Sequence, residues 1–483
     1  MAAASVVGSK TRELSTTERN WVSLQKTGTG IVVAAFWFAR QLSTASVQAA
    51  VIELVNQLPY LNSQVRTVDK GGEKKLFFQL RKDLPTLVEE VNPFTEGEGE
   101  GVGGEQDEAR ETWSRIVDLE ANRSFPIQSD DFSRVFQVVL YKNLPNNSVL
   151  VVLRFQASAF DCPSLEPVVS RFFKTLRQVV EREEQKEKVE DLMRNMTLND
   201  DTVGNFTYHP SMEDMIPKGL GDKNILSKGF EIMSNGLKAQ SYRYFAFDSK
   251  TVKKEQKTRH IRASLSRESS DRLIEACKSN STDLYGAFST AFSKSLADHK
   301  RMGKKGEQYS FVVLFDCRSL LSPPQPQSLM GFYNSAMLAT TQVSENSKGV
   351  TPFWKCAAEV TKHFQAAVKE KKHFKDIKLI NSLMVTAMNF PNLTPEGSLR
   401  TATYSILHDP APMNIPKEDS EYLQLKDHVV YISCHGAGPC VAIYVFLEDG
   451  ALKFTFCYPS PMFSRQHIQA VVDGGMHHLT SSL

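Results

Sequence analysis

The chain has 483 residues, room for two or three domains of about 150 residues each. Hydrophobic residues make up 41% and charged residues 23%, the formal net charge is +2 and the sequence pI is near 8.0. This is the balance of a folded soluble chain, and it excludes a basic nucleic-acid binder and an acidic tail protein.

The longest apolar run, Ile31 to Ala39, is too short to span a bilayer. Met1 to Leu14 lacks the apolar stretch of a secretory signal, although its freedom from acidic residues up to Arg12 is shared with transit peptides. No short-period repeat is present. Ser43 or Thr44 caps a helix with Val47, Ala50, Val51, Leu54, Val55 and Leu58 on its apolar face, and Pro59 ends it. Strands follow at Gln64 to Val68 and at Lys75 to Leu80. Thr95 to Glu108 is rich in Gly and Glu with almost no apolar residues, so a disordered surface loop is expected there. Its acidic spacing matches no calcium loop of the EF-hand kind.

Phe132 to Leu144 and Ser148 to Phe155 read as adjacent strands joined by a turn at Leu144-Pro145-Asn146-Asn147. Val149 to Phe155 is apolar on both faces until Arg154, the mark of a central strand covered on both sides. Beyond Asp161-Cys162-Pro163 a helix places Leu165, Val168, Val169, Phe172 and Leu176 on one face. From Glu181 to about Tyr242 the pattern breaks down into charged and Gly/Asn/Lys-rich sequence. The expected organisation is therefore an N-terminal lobe over 1–185, a linker over 186–240 and a C-terminal lobe over 241–483.

The second half resumes the alternation. A strand at Arg259 to Leu265 leads to a helix capped by Ser266, and a second helix starts at Thr282. Strands at Tyr309 to Phe315 and Asn334 to Thr341 flank a loop with Pro323, Pro324 and Pro326, and a helix covers Phe353 to Lys371. Val429 to Ser433, Val441 to Phe446 and Leu452 to Phe456 read as an antiparallel meander, with Glu448-Asp449-Gly450 as a hairpin turn. A last helix runs from Ser464 to Leu479.

The seven cysteines are odd in number, scattered and without a Cys-x-x-Cys pair. They predict neither a disulfide framework nor a metal site, and they fit the cytoplasm. Under that reading the sequons at Asn195, Asn205, Asn280 and Asn392 carry no weight. The end Ser481-Ser482-Leu483 is a loose relative of the peroxisomal address, with a polar frayed terminus as the plainer reading.

The most informative stretch runs Arg154-Phe155-Gln156-Ala157-Ser158-Ala159-Phe160-Asp161-Cys162-Pro163. It resembles the His-His-x-x-x-Asp-Gly motif of the chloramphenicol acetyltransferase-like superfamily, which holds HxxxD-type acyltransferases, alcohol acetyltransferases and peptide-synthetase condensation domains. Leu58-Pro59-Tyr60-Leu61-Asn62 resembles the family's His-Pro-x-Leu-Arg helix end. Asp316-Cys317-Arg318, Pro323-Pro324 and Met330-Gly331-Phe332-Tyr333 resemble its Asp-x-Arg, Pro-Pro and Gly-Tyr stretch. Asn389 falls near its Ser/Thr-Asn-x-Gly turn. The plant branch's Asp-Phe-Gly-Trp-Gly motif is absent.

The resemblance implies an α/β fold of two lobes with mixed sheets and an interlobe tunnel. It implies acyl transfer from an acyl-thioester, most simply acyl-CoA, to a hydroxyl or amine acceptor. A His serves the family as general base, titrating near neutrality. Asp161, by resemblance, holds the loop through Arg318, while Gly331, Tyr333 and Asn389 fall in substrate-binding stretches. No metal, nucleic acid or membrane span is implied, and a monomer is expected.

The decisive position departs from the pattern. Counting back from Asp161, the two His positions are Gln156 and Ala157. Alanine carries no proton acceptor, and a base contributes on the order of 10² to 10⁴ in rate. Three explanations stay open: a non-catalytic descendant, another base, or a shifted register. The replacement candidates are His435, at a strand end beside Gly436, and His408. Gln156, Ser158 and backbone N–H groups near Gly331 are candidates to position substrate and support an oxyanion. Lys369, Lys371, Lys372 and Lys375 form a basic cluster that reads as a solvated helix face or as a partner for CoA phosphates. Gly8-Ser9-Lys10-Thr11 lacks the rest of a phosphate-binding loop. The rival to an acyltransferase is a pseudoenzyme, a binding or scaffold protein using the same tunnel.

Overall fold

The computed structural model describes residues 10–81, 88–92, 105–125, 132–185, 204–220, 251, 254–298, 307–343, 345–346, 349–350, 352–378, 381, 403–407, 409–437 and 440–483. The N-terminal half runs β1 (Thr11–Glu13), α1 (Thr16–Gln25), β2 (Ile31–Phe38), α2 (Thr44–Gln57), β3 (Ser63–Lys70), β4 (Glu73–Leu80) and β5 (Val88–Val91). It continues with α3 (Glu105–Asn122), β6 (Phe132–Arg134), β7 (Phe136–Leu144), β8 (Ser148–Gln156) and α4 (Leu165–Glu184). The second half holds β9 (Lys257–Ser264), α5 (Arg267–Ser279), α6 (Leu284–Asp298), β10 (Glu307–Asp316), β11 (Asn334–Val343), β12 (Glu345–Asn346), β13 (Gly349–Val350) and α7 (Phe353–Lys369). It ends with β14 (Thr403–Leu407), β15 (Ala411–Pro412), β16 (Leu425–Ile432), β17 (Cys440–Glu448), β18 (Ala451–Ser460) and α8 (Arg465–Ser481).

The first sheet has the order β16-β2-β8-β7-β5, with only β5 parallel to its neighbour. Every residue of β8 is buried, because both faces of this sheet are covered. Successive side chains on β2 show it: Phe36 packs on Phe172 and Phe173 of α4, and Trp37 stacks on Trp113 of α3. Arg154 is the charged exception in β8, and it is matched: Nε lies 3.0 Å from Glu120 of α3 and Nη1 donates to Gln137 at 2.7 Å. A smaller antiparallel sheet, β1-β4-β3-β6, flanks this lobe.

The second sheet has the order β11-β10-β14-β17-β18-β9, and it is parallel at β10-β14 and β14-β17. α6 packs on this sheet, where Phe288 and Phe292 meet Phe454 and Phe456, and α8 packs against α6.

Three expectations are corrected. The strand expected at Val429 to Ser433 forms no meander with β17; as β16 it pairs with β2 and so joins the first sheet. The meander is β17, β18 and β9 instead, with Asp449 (φ 49°) and Gly450 (φ 79°) making the hairpin turn. The loop expected at 95–108 ends earlier: α3 begins at Glu105, driven by Trp113, Ile116, Val117 and Ala121 on one buried stripe. Residues 93–104 lie outside the described residues. The single strand expected over Phe132 to Leu144 is two, with β6 pairing β3 and β7 pairing β8. Within the expected linker, residues 204–220 are described, and they pack: Tyr208 donates to Ser63 at 2.8 Å, and Glu213 caps α1 by accepting from Thr16 and Thr17 N–H.

Candidate active site

The loop between β8 and α4 turns at once. Ala159 and Phe160 N–H groups both donate to Gln156 O, at 2.9 and 3.0 Å. The turn brings Asp161 against Arg318, which follows β10. Their side chains form a two-bond fork, Nη2 to Oδ1 at 2.9 Å and Nη1 to Oδ2 at 3.0 Å, with both side chains fully buried. Oδ1 also accepts from Ser164 N–H and Oγ at 3.1 and 2.6 Å, and Oδ2 from Tyr333 N–H at 2.8 Å. Arg318 spends its other donors on Asp316 Oδ1 and Leu329 O, and its guanidinium lies 4.8 Å from the Tyr333 ring centre. Burial opposes its charge, but Asp161 and Asp316 outweigh that and hold its pKa above the ordinary value. The carboxylate has no lone pair left for a substrate.

The other expected site residues are placed as follows. Gln156 is fully buried and points into the first lobe, donating to Ser133 Oγ at 2.9 Å and Arg134 O at 2.7 Å while accepting from Ser158 Oγ at 3.2 Å. Both residues are thus committed within the protein, against the expectation that they position substrate. Gly331 is also committed. Its N–H donates to Ser164 Oγ at 3.0 Å, so it is no oxyanion donor. Its carbonyl accepts from Asp161 N–H, and a Cβ there would fall 2.4 Å from the Tyr333 ring. The Tyr333 hydroxyl donates to Pro210 O at 3.2 Å, and burial raises its pKa. Asn389 and His408 lie outside the described residues. Lys369, Lys371 and Lys372 are exposed at the end of α7, Lys375 is half-buried beyond it, and Lys372 pairs with Glu370 at 3.3 Å.

Ala157 sits fully buried, its N–H donating to Gly30 O at 2.9 Å. Gly30 N–H in turn donates to Ser433 O, which brings His435 into the neighbourhood. The network assigns the His435 tautomer. Thr258 Oγ1 accepts from Cys434 and His435 N–H, at 2.9 and 3.2 Å, so its own proton goes to His435 Nδ1 at 2.9 Å. The neutral ring therefore carries its proton on Nε2. Burial pushes the imidazole pKa down to about 4. Nε2 rests against Gly28, where a Cβ would fall 1.9 Å away. With that tautomer Nε2 is a donor, which speaks against the expectation of His435 as a replacement base.

A cavity of about 280 Å³ opens between β16 of the first sheet and β9, β17 and β18 of the second, lined in part by Arg262, Asp427, His428, Glu448 and Lys453. Arg262 forks onto Asp427 at 2.7 and 2.8 Å, and Glu448 takes both His428 and Lys453. The β16 residues of its wall pair with Ala34 to Trp37, four to seven residues along β2 from Gly30. That is about 13–23 Å at the rise of a strand, so this cavity is separate from the Ala157 loop. Among the described residues no group of three or more His, Cys, Asp or Glu is placed to hold a metal, and no helix is long and apolar enough to cross a membrane.

Neither protein-family models nor curated protein sequences give a match. Solved structures do. The trichothecene 15-O-acetyltransferase TRI3 from Fusarium sporotrichioides is 12% identical with a TM-score of 0.69, over 99% of this chain and 97% of that one. The EpoB cyclization-docking bidomain from Sorangium cellulosum is 12% identical with a TM-score of 0.62, over 100% and 88%. The first condensation domain of the CDA synthetase is 12% identical with a TM-score of 0.57, over 99% and 97%. The chain has the chloramphenicol acetyltransferase-like fold. Nothing in the linear order of residues pointed to Trp21 beside Ala157 or to Thr258 beside His435, because both arrive through long-range packing. Ser164 was visible, one residue beyond Pro163, but its role depends on Gly331 and Arg318 reaching it.

Proposed function

We propose that this is a binding protein on an acyl-transfer fold, which holds an acyl thioester or its acceptor between the lobes without base catalysis. One observation carries the reading: position 157, the base position by resemblance, presents a methyl group, and the hydrogen bond from Thr258 to Nδ1 leaves the His435 proton on Nε2. The probe is acetyl-CoA, titrated calorimetrically into the full chain, with free thiol followed in the same mixture. The reading expects saturable heat and no thiol release above buffer. Thiol release by the natural sequence that disappears in His435→Ala contradicts it. Absence of heat removes its CoA form.

The intact Asp161–Arg318 fork favours a second reading. In it the loop positions an acyl-CoA beside a hydroxyl or amine and transfer proceeds slowly by proximity alone. Slow thiol release that needs acceptor and survives His435→Ala supports this reading over the first.

A further inference from the structure

Gly30 and Ala157 stand opposite each other just beyond the pairing of Ile31 with Gln156. Opposed residues of an antiparallel pair project on the same face, with Cβ atoms about 4.5–5.5 Å apart. Here one side chain is a hydrogen and the other a methyl, so the pair leaves a notch. Trp21 of α1 lies over it. A Cβ on Gly30 would fall 2.9 and 3.3 Å from Trp21 Cε3 and Cζ3, and 3.5 Å from Ala157 Cβ. Indole and methyl therefore both reach van der Waals range of one point.

Trp21 is held there from two sides. Its helix is fixed at the N-terminus by the Ser15–Glu18 capping box and by Glu213. Its ring meets Phe332 at 5.6 Å between centroids, tilted by 52°. Phe332 lies between Gly331 and Tyr333, the two residues bound to the Asp161 loop through their backbone.

We infer that Trp21 is a plug: its indole fills the space into which any side chain larger than methyl at position 157 would project. This rests on the reading that position 157 is the family's base position. The missing base is thus built into the packing, and a single substitution does not restore it. Interiors packed to crystal-like density accept added atoms only by shifting neighbours.

A stability cycle tests this on the full chain: wild type, Ala157→His, Trp21→Ala and the double variant, unfolded in denaturant. Ala157→His lowers the midpoint clearly in the wild-type background and little or not at all beside Trp21→Ala. Equal losses in both backgrounds overturn the plug. If Trp21→Ala fails to fold, Trp21→Leu takes its place in the same cycle. Thiol release from acetyl-CoA separates this claim from the functional reading. Release at least tenfold faster in the double variant than in Ala157→His supports the plug, since a freed imidazole adds a base. Equal release by both, with additive stabilities, counts against it. Release by the wild type contradicts the functional reading, while the stability coupling between positions 21 and 157 still decides the plug.

Discussion

Five hydrogen bonds converge on the fully buried Asp161 carboxylate, from Arg318, Ser164 and Tyr333. Asp161→Asn keeps the shape and removes the charge, leaving Arg318 with Asp316 alone. The expected loss is about 3–5 kcal/mol by denaturant unfolding, the range for breaking one side of a buried pair; a loss under about 1 kcal/mol would contradict the network. His435 gives a pH-dependent counterpart. Its folded pKa, about 4, lies below the ordinary 6.5, so its contribution is present above pH 6.5 and is lost as pH falls toward 4. Wild type should lose more stability than His435→Gln across that window. His373, also pushed down to about 4 by burial, titrates in both proteins and cancels in the difference; parallel curves would contradict the assignment. At this scale the sequence made Asp161, Arg318 and Ala157 visible through order and spacing along one chain. It could not show that Gln156, Ser158 and Gly331 N–H are spent internally, because their partners Ser133, Arg134 and Ser164 are chosen by the fold.

Helix α3 shows how an element joins the lobes. Asp118 and Asn122, one turn apart, face His260 and Thr258, two apart on β9. Asp118 accepts from Tyr431 at 3.0 Å and Arg259 at 3.2 Å, and sits 2.7 Å from His260 Nδ1, so α3, β9 and β16 meet on one carboxylate. On the face toward the first sheet, Glu120 neutralises Arg154, whose pKa burial still pulls down to about 10. Glu120→Ala should cost about 3–5 kcal/mol, because it strands a buried guanidinium. Near-wild-type stability would mean that Gln137 and backbone carbonyls suffice. The helix went unread in the sequence, although Trp113, Ile116, Val117 and Ala121 carry its spacing, because the Gly/Glu-rich run before it dominated the composition. Helices α2, α5 and α8 were easier, since Ser43, Ser266 and Ser464 each accept from the N–H three residues on.

At the scale of the molecule, β16 leaves the second half of the chain and completes the first sheet beside β2. The two halves therefore share hydrogen bonds as well as a seam. A continuous apolar run revealed β16 as a strand but not its partner, because Val429, Val430, Tyr431 and Ile432 suit either sheet. The parallel pairings of β14 were equally hidden, being set by neighbours distant in sequence. The near-neutral charge, +2 over 483 residues, gives no net charge with which to steer a charged ligand from a distance. The proposed function is that of an acyl-transfer architecture kept without its base. The direct measurement is the pH dependence of thiol release from acetyl-CoA by the natural protein between about pH 5 and 9, a range that brackets a base titrating near neutrality. The account predicts a profile indistinguishable from buffer alone. A rate above buffer that rises through one ionisation near neutrality would contradict it, since that requires a side-chain base at the site.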